Sequence, residues 1–181
     1  MLKDWIIERE GESLVKLLKQ ISDWVDRLER ILAIPIAVGF IMVVFFGVMM
    51  RYVFRTPIIT SIELARIGFV WSVFLGAAIC VKQEKHIQFV FLFERFSDLG
   101  KKVIKLCISM LAAGFFLFLV LKGIQMVQAV HDTYFPALGW DQHWLYLPLP
   151  VSAAFMLVHA VSFLARDISN LSGNQNSEVK S

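Results

Sequence analysis

The clearest set of side chains that could do chemistry is an acidic–basic pair at the front edge of an apolar block. Glu63 and Arg66 are three residues apart, so on a helix they lie on one face and can form an ion pair. Arg66 then lies about one turn inside the block, where lipid disfavours a charge unless a partner helix or a headgroup phosphate compensates it. Three roles stay open: an interfacial ion pair with the arginine reaching outward, a contact to a partner subunit, or a transport or proton site.

Three further side chains stand out because of their positions. His159 is alone in a long apolar segment, where we expect a hydrogen bond between helices, because no second histidine or carboxylate lies in register to complete a metal site. His86 follows Lys85 after another apolar block, which favours a headgroup or loop contact over catalysis. Trp71 lies midway along its block, too deep for an aromatic belt, and therefore predicts packing between helices or against a partner.

The composition and the motif content exclude several classes of protein. The chain is 57% hydrophobic and 18% charged, whereas soluble domains are usually under half apolar and about a quarter charged. The sequence has no phosphate-binding loop, paired carboxylates, histidine cluster or nucleophile–base arrangement, so we expect no enzyme, no catalytic residue and no bound cofactor or metal. Its basic residues flank apolar segments, which favours phospholipid headgroups over nucleic acid as a partner.

Four apolar blocks are long enough to cross the hydrocarbon core as helices, which takes about 20 residues each. They predict an all-α membrane protein with four transmembrane helices in a domain of residues 31–171, with spans at about 31–50, 62–81, 103–122 and 144–165. Two prolines near the start of the last span predict that its regular helix begins at Pro150. Asp and Glu are absent from the interior of these spans, which argues against an independent proton-coupled carrier.

Two amphipathic segments and a polar tail flank the spans. Residues 1–30 place apolar residues at helical spacing opposite charged ones, which predicts an interfacial helix on the membrane surface, with packing on a partner as the alternative. Residues 86–98 predict a second, in-plane amphipathic helix, because this segment is too short to cross a bilayer. Residues 172–181 are polar and predict a disordered tail.

The density of basic residues alternates between the loops. Many lie in the N-terminal segment and in the connector between the second and third spans, and few lie in the other two connectors. By the positive-inside rule, both termini and the middle connector are then cytoplasmic. An even number of spans agrees with that orientation.

One stretch of the sequence joins charged, aromatic and small residues at fixed spacing. It resembles the small membrane subunit, the Q-type or DctQ-like component, of tripartite ATP-independent periplasmic (TRAP) transporters. An acidic–basic pair heads the second span of that family, as Glu63 and Arg66 do here. The chain departs from the family in Thr60 and Ile62, where a tryptophan and an acidic residue are frequent, so one acidic position is missing. The residues that carry the resemblance are Arg51, Tyr52, Val53, Phe54, Pro57, Ile58, Glu63, Leu64, Ala65, Arg66, Phe69, Val70, Trp71, Phe74, Leu75, Gly76, Ala77, Ala78, Lys82, His86 and Ile87.

The resemblance implies a role that depends on partners in the bacterial inner membrane. A large multi-span subunit would hold the substrate and sodium sites, and a periplasmic binding protein would deliver an organic acid such as a dicarboxylate or a sialic acid. The small subunit would then serve as a scaffold beside the large one and bind no cofactor itself. Its candidate contacts with a partner or with lipid are Arg51, Glu63, Arg66, Trp71 and His86.

Two other classes of function stay open. A small independent channel or carrier would need a hydrated path lined by polar groups, and the spans supply few. A membrane anchor subunit of a respiratory-type enzyme complex would need paired intramembrane histidines or a quinone pocket, and the spans contain only His159.

Overall fold

The computed structural model describes the backbone of residues 2–83 and 98–178, and the side chains of residues 13–83, 100 and 103–169. Within these residues the chain is helical and has no strand beyond an isolated bridge between Tyr134 and Asp141. This confirms the all-α prediction. The helices are α1 (Leu2–Tyr52), α2 (Ile59–Lys82), α3 (Asp98–Ala129), α4 (His143–Tyr146) and α5 (Pro148–Glu178).

Four helical segments of the described chain are long and apolar enough to cross a membrane. They are Ser13–Tyr52, Ile59–Lys82, Val103–Ala129 and His143–Ser169. Each contains one of the apolar blocks, so the prediction of four transmembrane helices is confirmed. The cytoplasmic placement of both termini stays a prediction.

Helix α1 runs through the point where we expected an interfacial segment to give way to the first span. Its 51 residues form one helix with Pro35 inside it, and residue 30 is therefore not a helix boundary. Ser22 and Glu29 are fully buried because they face the other helices, so this part of α1 belongs to the bundle. The predicted placement on the membrane surface stays a prediction only for the residues before Ser22.

Helix α5 is the centre of the arrangement. It packs against α1, α2 and α3, whereas α3 makes no comparable contact with α1 or α2. Small residues allow this close approach, since Ser152, Ala153 and Ala160 of α5 are buried. At Gly123 of α3, an added Cβ would lie 3.0 Å from ring carbons of Pro150. The other three long helices therefore all contact α5, whereas α3 does not pack against α1 or α2.

The ends of the helices differ from the prediction in two places. Helix α5 begins at Pro148, two residues before the expected start, because a proline in the first turn has no helical N–H partner to lose. It then continues to Glu178, into the tail for which we predicted disorder, where no further proline interrupts it. Residues 84–97, with His86 and most of the predicted in-plane helix, lie outside the described residues.

Candidate functional site

Glu63 fixes the loop that joins α3 to α4. Its carboxylate accepts hydrogen bonds from the backbone N–H of Ala137 at 3.1 and 3.2 Å and from that of Leu138 at 2.7 Å. Gly139 has a φ of +68°, a left-handed conformation that glycine adopts without strain, and its N–H donates to the carbonyl of Phe135 at 2.9 Å. The loop is therefore a folded cap over this end of α2, which we call the Glu63 end.

A small apolar cluster supports the cap from below. Phe135 of the loop packs with Ile67 and Leu145, and Trp71 packs against this cluster. The indole Nε1–H of Trp71 donates to the carbonyl of Trp144 at 3.0 Å. Trp71 therefore packs within the chain, and its polar atom is used there; its contact with a partner stays a prediction.

The possible ion pair between Glu63 and Arg66 is not formed. The loop amides occupy the carboxylate of Glu63, which the sequence could not indicate because the loop is more than seventy residues away. Arg66 is exposed on α2, and within the described chain it has no ion-pair partner. Glu63 therefore makes its contact within the chain, whereas Arg66 is a cation that faces outward.

Arg51 lies beside a groove between α1 and α2, close to the connector that joins them. The groove has a volume of about 340 Å³, and the guanidinium of Arg51 lies 5.7 Å from the centre of the Tyr52 ring. Its wall is mostly apolar, with the cation at one end. The lining residues are Val43, Val44, Gly47, Val48, Arg51, Tyr52, Pro57, Ile58, Ile59, Ser61, Ile62 and Ala65.

A chain of polar side chains connects three helices at the opposite end of α2, which we call the Lys82 end. The ammonium of Lys82 donates to the hydroxyl of Ser22 and to the carboxylate of Asp23, both at 2.7 Å. Ser22 Oγ lies 2.7 Å from His159 Nδ1, and His159 Nε2 lies 3.2 Å from Glu29 Oε1. The predicted interhelical hydrogen bond of His159 is confirmed.

The donors in this chain follow from the chemistry of its members. An ammonium can only donate, so the hydroxyl of Ser22 accepts from Lys82. A carboxylate can only accept, so His159 donates its Nε2–H to Glu29. The contact between Ser22 Oγ and His159 Nδ1 is one hydrogen bond, whose donor is set by the protonation of the ring. Ser22, Glu29 and His159 are completely buried, and Glu29 Oε2 has no hydrogen-bond partner within the described chain.

Glu29 is a buried acidic residue of the bundle, although it precedes the predicted first span. The contact of Lys82 with Asp23 places Asp23 level with the end of α2. Glu29 lies six residues further along α1, about 9 Å deeper at the helical rise, where it meets His159 of the fourth span. The sequence carried a signal for this, because Ser22 and Glu29 interrupt the apolar face of α1 at a spacing of seven residues.

A second polar contact joins α3 to α5. The hydroxyl of Ser109 donates to the buried carboxylate of Asp167 at 2.8 Å, and Lys105 lies 3.8 Å from the same carboxylate. Asp167 therefore links the two helices near the level of the Lys82 end. These polar contacts hold helices of this chain to one another.

The outward surfaces of the spans are apolar. A Cβ at Gly39, Gly76 or Gly114 would meet nothing within 4 Å, so these glycines leave the backbone open to close approach from outside. Ala78 is fully buried and faces the bundle. No group of three or more metal-ligating side chains occurs in the described part of the chain.

A comparison with known protein families assigns the chain to one of them. A family model described as the DctQ component of tripartite ATP-independent periplasmic transporters matches residues 40–170. The chain belongs to the DctQ family. As a DctQ protein, it is a transport component of the bacterial inner membrane and not an enzyme, and its family implies a large permease partner and a periplasmic binding protein.

Curated relatives agree with membership in the DctQ family. A protein of Haemophilus influenzae with the provisional name of TRAP transporter small permease protein is 25% identical over 146 residues, which are 81% of this chain and 86% of the relative. The sialic acid TRAP transporter small permease protein SiaQ of Vibrio cholerae is 23% identical over 140 residues, 77% of this chain and 81% of the relative. The sialic acid TRAP transporter permease protein SiaT of H. influenzae is 26% identical over 137 residues, 74% of this chain but 22% of the relative.

Proposed function

We propose that the chain is the small permease subunit that holds the large transport subunit in the bilayer, for sodium-coupled uptake of an organic acid. The observation that carries this proposal is the use of the polar side chains in the spans. Glu63, Glu29 and Asp167 each bind another part of this same chain. Because these carboxylates tie helices or a loop in place, the outward apolar surfaces are what the chain offers to a partner.

The match to the long relative supports the partnership. In the SiaT permease of H. influenzae, the segment similar to this chain makes up 22% of the protein. A unit of this kind is therefore joined there to a much larger remainder within one polypeptide. Two of the relatives carry sialic acid in their names, so sialic acid is the first carboxylate to test as the substrate.

Two exposed cations are proposed contacts outside the chain. Arg66 faces away from the bundle about two turns along α2, where lipid would leave its charge uncompensated, so we assign it to the large subunit. Arg51 lies beside the groove between α1 and α2, where the cation could meet a headgroup phosphate and the apolar wall an acyl chain. His86 keeps its proposed headgroup or partner contact.

Co-purification and reconstituted uptake test the proposal. Tagged chain extracted in mild detergent should retain the large multi-span subunit, and vesicles with both subunits and the binding protein should take up a carboxylate only with a sodium gradient. Arg66→Ala should lower recovery of the large subunit, whereas Arg55→Ala should not, because Arg55 is exposed in the connector. A homo-oligomer of the chain that transports solute alone would contradict the proposal.

A further inference from the structure

The charge of the buried pair of Glu29 and His159 depends on the protonation of the ring. Both side chains are completely buried, and among the described side chains no lysine or arginine forms an ion pair with Glu29. A carboxylate beside a neutral imidazole would therefore place one net negative charge inside the bundle. Burial of a charge without an opposite partner is strongly unfavourable.

The charged groups of α1 and α2 near this pair already have opposite partners. Asp26 binds Arg30 at 3.0 Å, and Arg30 is exposed although it follows Glu29 in the sequence. Asp23 binds Lys82 of α2 at 2.7 Å. These two cations therefore balance the two aspartates and leave the charge of Glu29 without a match.

The charged groups of α3 and of α5 itself lie further along the bundle. Lys105 and Arg166 flank the carboxylate of Asp167 at 3.8 and 3.7 Å. Asp167 is eight residues from His159, about 12 Å along α5. Helix α4 directly precedes α5 at its other end. The positive charge that would balance the carboxylate must then come from the ring of His159.

The surroundings of His159 suit a ring that carries two protons. An imidazolium donates from both nitrogens, and Nδ1 lies 2.7 Å from Ser22 Oγ while Nε2 lies 3.2 Å from Glu29 Oε1. A hydroxyl oxygen has two lone pairs, so Ser22 can accept from the ring as well as from Lys82. Its own proton can then bond a backbone carbonyl one turn earlier on α1. Both N–H groups of a protonated ring are therefore satisfied.

We propose that the pair of Glu29 and His159 is a proton-binding site, in which an imidazolium donates to a carboxylate and holds α1 on α5. Loss of this proton leaves an unmatched buried anion, so the contact between the two helices weakens until water reaches the carboxylate. With the predicted orientation, the row of polar side chains opens at exposed Asp23 toward the cytoplasm, and the site responds to cytoplasmic pH. It lies within this chain and stands apart from the proposed function.

NMR of ¹⁵N-labelled histidine in the full chain in lipid tests the protonation of the ring. The chain has four histidines, so His86, His131 and His143 are replaced by glutamine to leave one signal. At about pH 8, where a histidine with its ordinary pKa of about 6.5 is neutral, His159 should carry a proton on both nitrogens. In Glu29→Gln, which removes the charge but keeps an acceptor, the ring should carry one proton.

The pH dependence of unfolding gives a second readout. Above about pH 6.5 an unfolded chain has released the protons of both side chains, whereas the folded pair keeps one. The folded state then binds more protons, so the equilibrium constant for folding should fall with rising pH, by about tenfold per pH unit more than in Glu29→Gln. Asp26→Asn is the matched control, because it changes a carboxylate of the same helix outside the pair, and it should keep the wild-type slope.

Two results would overturn the proton-binding site. One is a wild-type His159 ring with a single proton at about pH 8, and the other is an equal pH slope for the wild-type chain and Glu29→Gln. If Glu29→Gln does not fold, the NMR signal of His159 with Glu29 intact decides alone, because that measurement requires no unfolding.

Discussion

The two ends of α2 are held by different kinds of contact. At the Glu63 end, a carboxylate accepts hydrogen bonds from backbone amides of a loop, and the residues around it include exposed Tyr134 and Trp140. At the Lys82 end, side chains from three helices form a continuous row of hydrogen bonds. Three of them are fully buried, namely Ser22, Glu29 and His159. The Glu63 end organises a loop, whereas the Lys82 end organises the helices themselves.

This difference predicts unequal costs of mutation. A group near water recovers hydrogen bonds to solvent when its partner is removed, whereas a fully buried charge cannot. The buried pair of Glu29 and His159 should therefore be the more sensitive of the two ends. Because both members are buried, removing one of them should cost more stability than removing both.

The largest effect is expected for His159→Leu. The substitution leaves the carboxylate of Glu29 and the hydroxyl of Ser22 without their buried partner, and loss of one member of a buried pair costs about 3–5 kcal/mol. The measurement is the thermal unfolding midpoint of the detergent-extracted complex, with the amount of chain in the membrane as a second readout.

The control for this variant replaces both partners. Glu29→Leu combined with His159→Leu removes the buried charge together with its partner, so most of the lost stability should return. A double variant as unstable as the single one would show that the shape of the pair, and not its polarity, holds α1 on α5.

A smaller effect is expected for Glu63→Ala. The loop amides of Ala137 and Leu138 lose a charged acceptor, which is worth about 1.5–3 kcal/mol, with the low end favoured because water can reach part of the loop. Hydrogen exchange at these two amides should accelerate while exchange in α5 stays unchanged. Glu63→Gln keeps one acceptor oxygen, so exchange at these amides should be faster than in the wild-type chain and slower than in Glu63→Ala. Unchanged exchange at both amides in Glu63→Ala would show that the loop does not depend on this carboxylate.

The smallest effect is expected for Trp71→Phe. A smaller phenyl ring still packs against the cluster that contains Phe135, and the hydrogen bond to the carbonyl of Trp144 is lost, which is worth about 1 kcal/mol. Trp140→Phe is the matched control, since Trp140 is exposed. Equal unfolding midpoints for both variants would assign the role of Trp71 to packing alone.

Hydropathy was sufficient to predict the four helices, because a bilayer requires long apolar segments regardless of what they contact. It could not predict the partner of Glu63, since that contact depends on the turn at Gly139. It also does not indicate that Glu29 is buried in the bundle, because the apolar block that predicts the first span begins only at residue 31. The positions of Ser22 and Glu29 are explained by the continuous helix α1 and by His159, which lies opposite both residues.

The central position of α5 has a consequence for the order in which the chain assembles. Helices α1 and α2 can pair as soon as both have entered the membrane, because they contact each other directly. Helix α3 has no such partner among the helices made before it, since its contacts are with α5 and α4. During synthesis, α3 therefore stays surrounded by lipid until α5 has inserted into the membrane. Insertion of α5 therefore completes three helix pairs at once, and a ribosome that stops before Pro148 leaves a hairpin and a separate helix.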